Sequence, residues 1–100
     1  MGTRKPWGGK NFLHDRASWK FLHMLAEGYS DLPSSKEQND MLNFLRFFAK
    51  IYPCQVCKTH TEAYFRRYPP NVKSRRNLIK YFHDFHNSVN ISLNKPLFIY

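Results

Sequence analysis

Residues 52–57 read Tyr-Pro-Cys-Gln-Val-Cys and hold both cysteines of this 100-residue chain, Cys54 and Cys57. Pro53 has no backbone N–H to lose, so it is well suited to the first turn of a helix, and the stretch predicts a helix start. Residues three apart share a helical face, which lets the two sulfurs meet. A helix N-terminus favours negative charge and so favours the reactive thiolate. The pair is therefore expected to undergo reversible dithiol–disulfide exchange.

Two other interpretations of the cysteines remain open. They could be half of a zinc site, with His60 as a third ligand and His83 or His86 as a fourth. They could also be two inert core residues. A thioredoxin-like fold is disfavoured because it requires strands around the motif, and a disulfide across so short a loop stabilises little. Exchange chemistry without a metal is the preferred interpretation.

Upstream of the pair, apolar residues recur with the spacing of two helices. The first is predicted from about Phe12 to Gly28. The second follows Ser35, which lies three residues before Gln38 in a capping-box pattern. Its apolar residues, from Met41 to Tyr52, cover more than one face. Such a helix is expected either to sit centrally in the fold or to contact another chain as well.

Downstream, the helix that begins near Pro53 is expected to run to about Arg67. Ser74 is expected to cap a fourth helix that closes at Lys95 and Pro96. No alternating strand pattern or internal repeat occurs. The sequence therefore predicts an all-α protein, an antiparallel four-helix bundle or something close to it.

Composition agrees with one small domain over residues 11–100, preceded by an irregular arm over residues 1–10 that carries neither an apolar secretory segment nor a myristoylation pattern. The hydrophobic fraction is 42% and the aromatic fraction 17%, which argues against disorder. No apolar run is long enough to span a membrane. The net charge of +9 favours anionic partners or simply solubility. Basic clusters at 66–67 and 73–76 leave a nucleic-acid-binding domain as a competing class, but they do not explain the cysteines.

Three blocks together resemble the Erv/ALR family of FAD-dependent sulfhydryl oxidases. They are Trp-Lys-Phe-Leu-His at 19–23, Tyr-Pro-Cys-Gln-Val-Cys at 52–57 and His-Asn-Ser-Val-Asn-Ile-Ser-Leu-Asn-Lys-Pro at 86–96. The resemblance covers about residues 11–97. It implies a four-helix bundle with a short extra helical segment, FAD at one end of the bundle and a homodimer, in which the wide apolar face of the second helix could contact the partner.

The resemblance also implies roles for individual residues. Cys57 would lie against the isoalloxazine ring, and Cys54 would exchange with substrate. The residues expected to bind FAD are Arg16, Trp19, His23, His83, His86, Asn87, Asn90, Leu93 and Lys95. Their chemistry suits that role, because Asn amides can pair with a ring edge, Trp offers a stacking surface, and Arg and Lys can meet a pyrophosphate. Taken alone, Trp19 would be an ordinary core aromatic and His23 a hydrogen-bonded core histidine.

The activity implied by the resemblance is a flavin-linked thiol oxidase that makes disulfides in protein substrates. Electrons would pass from the Cys54–Cys57 pair to FAD and then to dioxygen, with release of hydrogen peroxide. The chain has no second Cys-x-x-Cys, so any shuttle dithiol is expected to belong to another protein. A scaffold that has lost the activity is disfavoured by the intact pair. The short length, without a targeting signal or a shuttle arm, is most similar to viral members of the family. The expected location is therefore the host cytoplasm or the virion, with the mitochondrial intermembrane space as the alternative. Neither nucleic acid nor a membrane span is expected.

Overall fold

The computed structural model describes residues 16–52, 55–93 and 97. Within these residues there are four helices and no strand, which confirms the predicted all-α bundle. The extra helical segment is not among the described elements, and the predicted N-terminal arm and its boundary lie outside them. The helices are α1 (Arg16–Glu27), α2 (Ser35–Ile51), α3 (Gln55–Arg67) and α4 (Arg75–Ser92).

The N-cap of α2 is Ser34, one residue earlier than the predicted cap Ser35. The Ser34 hydroxyl accepts a hydrogen bond from the Glu37 N–H at 3.1 Å, and the Ser34 N–H donates to Glu37 Oε1 at 2.8 Å. This capping box replaces the one expected between Ser35 and Gln38. Both pairs fit the pattern, but only Glu37 brings a carboxylate, which a helix N-terminus favours.

The cap of α4 is the predicted one. The Ser74 hydroxyl accepts from the Asn77 N–H at 3.1 Å. The helix ends at Ser92, with Leu93 as its C-cap, so it closes earlier than the expected Lys95. The start predicted for the first helix and the Pro53 start predicted for the third both fall outside the described residues.

Phe85 of α4 joins three helices. Its ring centroid lies 5.2 Å from that of Trp19 on α1, and 4.8 Å and 5.4 Å from those of Tyr64 and Phe65 on α3. Phe85 is fully buried, as are its α4 neighbours Leu78 and Phe82. The helix at the centre of the core is thus α4.

The wide apolar face of α2 does not make that helix central. Only Leu45 and Ala49 of α2 are buried, whereas Phe44, Phe47 and Ile51 are exposed. Of the two alternatives drawn from the sequence, central burial is therefore wrong. The remaining alternative is contact with another chain.

Three contacts fix the C-terminal end of α1 against the N-terminal end of α4. The Tyr29 hydroxyl donates to the Val72 carbonyl at 2.7 Å, and Arg75 Nε donates to the Tyr29 carbonyl at 2.6 Å. Arg75 also forms an ion pair with Asp31 at 3.2 Å. Farther along, His23 of α1 meets His86 of α4, so the two helices run antiparallel.

No helix among the described residues combines the length and the apolar character needed to cross a bilayer.

Replacing Tyr29 with Phe is expected to lower the free energy of unfolding by about 1–3 kcal/mol, because the buried Val72 carbonyl loses its partner. Tyr68→Phe is the matched control, since Tyr68 is exposed and its hydroxyl accepts from the equally exposed Arg67. Its effect should stay within about 0.5 kcal/mol. Urea denaturation measures both, and equal effects of the two substitutions would contradict the role of the Tyr29 hydroxyl.

Candidate active site

The α1–α4 contact carries a stack of two flat rings. Trp19 and His86 lie with their centroids 4.0 Å apart and their planes 10° from parallel. Trp19 is 5% exposed, so the simple interpretation of this residue as a core aromatic also holds in the structure. The stack joins the first and the third of the sequence blocks that carried the resemblance.

A hydrogen bond between two histidines lies beside the stack. His23 Nε2 and His86 Nδ1 are 3.2 Å apart in a part-buried contact, which agrees with the simple interpretation of His23 as a hydrogen-bonded histidine. One of these nitrogens must carry a proton and the other must not, so the contact is incompatible with two fully protonated rings. Burial lowers the pKa of His23, and the nearby His83 lowers it further, while Glu27 acts in the opposite direction.

Polar side chains continue along α4 toward its C-terminal end. Asn90 is 8% exposed, and its side chain makes no hydrogen bond with the part of the chain that the structure describes. Burying an amide is unfavourable unless it is hydrogen-bonded, so a ligand that pairs with the Asn90 side chain would stabilise this region. Asn87 is partly buried on the same half of α4, and so is Leu93, the C-cap of that helix.

Cys57 lies in the first turn of α3 and is fully buried. It belongs to the same hydrophobic cluster as Trp19, Phe85 and Val89, so α3 brings the sulfur into the core that α1 and α4 share. The first turn of a helix favours a thiolate, whereas burial in an apolar core disfavours it. Cys54 immediately precedes α3 in the sequence but lies outside the described residues.

Thr61 is a residue that the sequence analysis missed. Its side chain is fully buried, and its hydroxyl has no hydrogen-bond partner in the structure. Burying an unpaired hydroxyl costs about 1–3 kcal/mol. The sequence does contain one signal. Thr61 is a polar residue four positions after Cys57 and so lies on the same helix face, which must be apolar if the cysteine is buried.

The structure brings four of the nine predicted cofactor residues together. Trp19 and His23 of α1 face His86 of α4, and His83 is close enough to influence His23. Arg16 is the first residue of α1, and Lys95 lies outside the described residues. Within the described ranges, no three His, Cys, Asp or Glu side chains converge in a way that could hold a metal ion.

The sequence pattern of the Erv1/Alr family matches residues 16–100. This chain belongs to the Erv1/Alr family. The match spans all four helices and both halves of the histidine contact, and it confirms the resemblance drawn from the three blocks.

Individual relatives of this Erv1/Alr chain include cellular and viral proteins. The mitochondrial FAD-linked sulfhydryl oxidase ERV1 of Saccharomyces cerevisiae is 40% identical over 83 residues, which are 83% of this chain and 44% of the relative. The putative FAD-linked sulfhydryl oxidase 096R of Invertebrate iridescent virus 3 is 39% identical over 94 residues, 92% of this chain and 59% of the relative. The chain thus spans about half the length of these relatives.

The fold matches a solved structure as well. The crystal structure of the FAD binding domain of Erv1 from Saccharomyces cerevisiae superimposes with a TM-score of 0.83 at 39% identity, covering 87% of this chain and 82% of that domain. The four-helix arrangement of this Erv1/Alr chain is therefore that of a known FAD-binding domain.

The lowered pKa of His23 predicts a pH dependence of stability. Its folded-state pKa lies below the ordinary 6.5, so its contribution to stability is complete above about pH 6.5. That contribution is lost as pH falls from there through the folded-state value, because the unfolded chain then binds more protons. His23→Asn should flatten this decline in the free energy of unfolding, measured by urea denaturation over a pH series.

His60→Asn is the control for this experiment, because His60 lies on α3 and not in the contact between α1 and α4. It should leave the decline unchanged. If the unmodified protein and the His23→Asn variant showed the same pH dependence of the free energy of unfolding, the His23–His86 contact would not disfavour protonation of His23.

Proposed function

We propose that this Erv1/Alr chain is a FAD-dependent thiol oxidase that forms disulfides in protein substrates through Cys54 and Cys57. The observation that carries the proposal is the full burial of Cys57 in the cluster that also contains Trp19. A cysteine so placed is poorly accessible to a protein substrate but well placed to meet a cofactor held by α1 and α4. The names of the relatives, which are FAD-linked sulfhydryl oxidases, support the same activity.

The chemistry of the side chains fits FAD. Trp19 and the histidines offer flat surfaces to a ring system, and Asn90 offers an amide that has no partner among the described residues. A pyrophosphate would need cations beside it, and the sequence supplies Arg16 and Lys95 as the two candidates. The proposed FAD-binding set is Arg16, Trp19, His23, His83, His86, Asn87, Asn90, Leu93 and Lys95.

The protein part of the reaction is thiol–disulfide exchange. A substrate thiolate attacks Cys54 Sγ, a new S–S bond forms, and the Cys54–Cys57 bond breaks with its electron pair left on Cys57. A second substrate thiolate attacks the substrate sulfur of this mixed disulfide and releases Cys54. The substrate dithiol is oxidised to a disulfide, and the enzyme disulfide is reduced to a dithiol. Cys57, in the first turn of α3, leaves as a thiolate in the field of the helix N-terminus.

The chemistry that bound FAD supplies is acceptance of this electron pair and its transfer to dioxygen, which is reduced to hydrogen peroxide. The role of the protein is to orient the ring system and to keep water away from it. The buried surfaces of Trp19, Phe85 and Val89 provide that exclusion around Cys57.

The substrates we propose are thiol-containing proteins or a separate shuttle dithiol protein. The yeast relative is named mitochondrial, and the iridescent virus relative matches 92% of this chain. We propose the host cytoplasm or the virion as the location, with the mitochondrial intermembrane space as the alternative. The expected lack of a nucleic-acid partner stays a prediction.

A homodimer is the proposed assembly. Exposed apolar side chains of α1 and α2 form one patch, in which the Phe21 and Phe44 rings lie 6.2 Å apart. Met24, Phe47 and Ile51 are further exposed apolar residues of these two helices. A patch of this kind is unfavourable in water and typical of a subunit contact.

Phe47→Asp is expected to convert the dimer to a monomer, because a carboxylate would be buried without a partner at the contact. Sedimentation velocity measures the change. Ile91→Asp is the matched control, since Ile91 is an exposed apolar residue of α4 outside the patch, and it should leave the dimer intact. A parent protein that is monomeric at all concentrations, or a Phe47 variant that stays dimeric, would contradict the assembly.

The purified protein is expected to be yellow and to consume oxygen when dithiothreitol is added. Cys57→Ser should abolish this oxygen consumption, because no disulfide can then form with Cys54. Oxygen-electrode rates and the visible absorbance spectrum are the measurements. Ser92→Ala, at the exposed end of α4, serves as the control and should retain activity. A colourless protein, or full activity in the Cys57 variant, would exclude the oxidase.

A further inference from the structure

The Thr61 hydroxyl is the feature that the proposed function leaves unexplained. Its side chain is 0% exposed, and the structure gives its oxygen no hydrogen-bond partner. A threonine inside a helix commonly donates to the carbonyl four residues earlier, which here belongs to Cys57. The structure contains no such bond. The hydroxyl is therefore a donor held in the core without an acceptor.

The placement of Thr61 on α3 directs it toward Cys57. The two residues are four positions apart and so lie on one helical face. Side chains on a helix tilt toward its N-terminus, so that of Thr61 covers the turn that contains Cys57. Both side chains are 0% exposed, which keeps water from competing for either group.

Thiol exchange requires negative charge on the Cys57 sulfur in these apolar surroundings. Burial disfavours a charged thiolate, and a hydrogen-bond donor inside the core can offset that effect in addition to the field of the helix N-terminus. Hydrogen bonds to a charged acceptor are stronger than those between neutral groups. The unused hydroxyl on the face of Cys57 has the chemistry that the charged sulfur needs.

We propose that the Thr61 hydroxyl donates a hydrogen bond to Cys57 Sγ when the Cys54–Cys57 bond opens, and that it thereby stabilises the leaving thiolate. This inference rests on the proposed function. The incoming substrate sulfur forms the bond to Cys54, the electron pair of the broken bond stays on Cys57, and Thr61 keeps its proton throughout. Thr61 contacts the leaving sulfur through this hydrogen bond and takes no part in electron transfer.

The test compares side chains at position 61 in a Cys54→Ser background, where Cys57 is the single remaining thiol of the chain. The readout is the infrared S–H stretching band of Cys57 as a function of pH, which reports the protonated thiol without any need for turnover. Thr61→Val removes the hydroxyl and keeps the shape. It should move the midpoint of thiolate formation to higher pH by about one unit, a roughly tenfold loss of thiolate at a given pH.

Two further variants make the comparison specific. Thr61→Ser retains the hydroxyl and should keep the midpoint of the parent. Thr59→Val makes the same chemical change on an exposed position of α3 and should also leave the midpoint unchanged. If Thr61→Val does not fold, Thr61→Ala removes the same hydroxyl and must give the same shift.

An unchanged midpoint in Thr61→Val, or equal shifts in Thr61→Val and Thr59→Val, would overturn the inference. Its failure is distinguishable from failure of the proposed function. Oxygen consumption by the unmodified protein tests the oxidase, whereas the S–H band tests Thr61 irrespective of turnover. If the protein is an active oxidase but the midpoint of thiolate formation at Cys57 is the same with and without the Thr61 hydroxyl, this inference is rejected and the proposed function is not.

Discussion

The parallel stack of Trp19 on His86 is the contact on which the candidate site depends. It joins α1 to α4 with the two ring centroids 4.0 Å apart, and the rings come from sequence blocks near opposite ends of the described chain. Once the stack is formed, helical spacing places His23 one turn farther along α1, where it meets His86 at 3.2 Å. The positions of the polar groups in the site therefore depend on a contact between aromatic surfaces.

Much of this arrangement could be predicted from the sequence, because its pattern is periodic. Apolar spacing predicted four helices, and Ser74 was predicted as a cap because it is a capping-type residue immediately before the helical stretch that starts at Arg75. Ser34 was missed because Ser35 offers an almost identical pattern one position later, and the deciding factor is the Glu37 carboxylate. Asn90 was predicted through the family resemblance, and its amide suits pairing with a ring edge.

Other features could not be predicted, because they depend on which faces meet. The apolar face of α2 is as wide as a central helix would need, yet α4 occupies the centre and Phe47 remains exposed. Thr61 is polar by type, and only the packing of α3 shows that its hydroxyl is buried. Periodicity identifies apolar faces but does not say which of them will be left uncovered, since that is a property of the assembled helices.

The contacts among Tyr29, Val72 and Arg75 restrain one end of the α1–α4 pair and have a mechanical consequence for the other end. Two antiparallel rods joined at one end cannot easily slide past each other, so the motion left to them is a change of angle. The distance between Trp19 and α4 can then increase with little disturbance at Arg75. Any ligand that separates Trp19 from α4 would therefore change the angle between the two helices and leave their register intact.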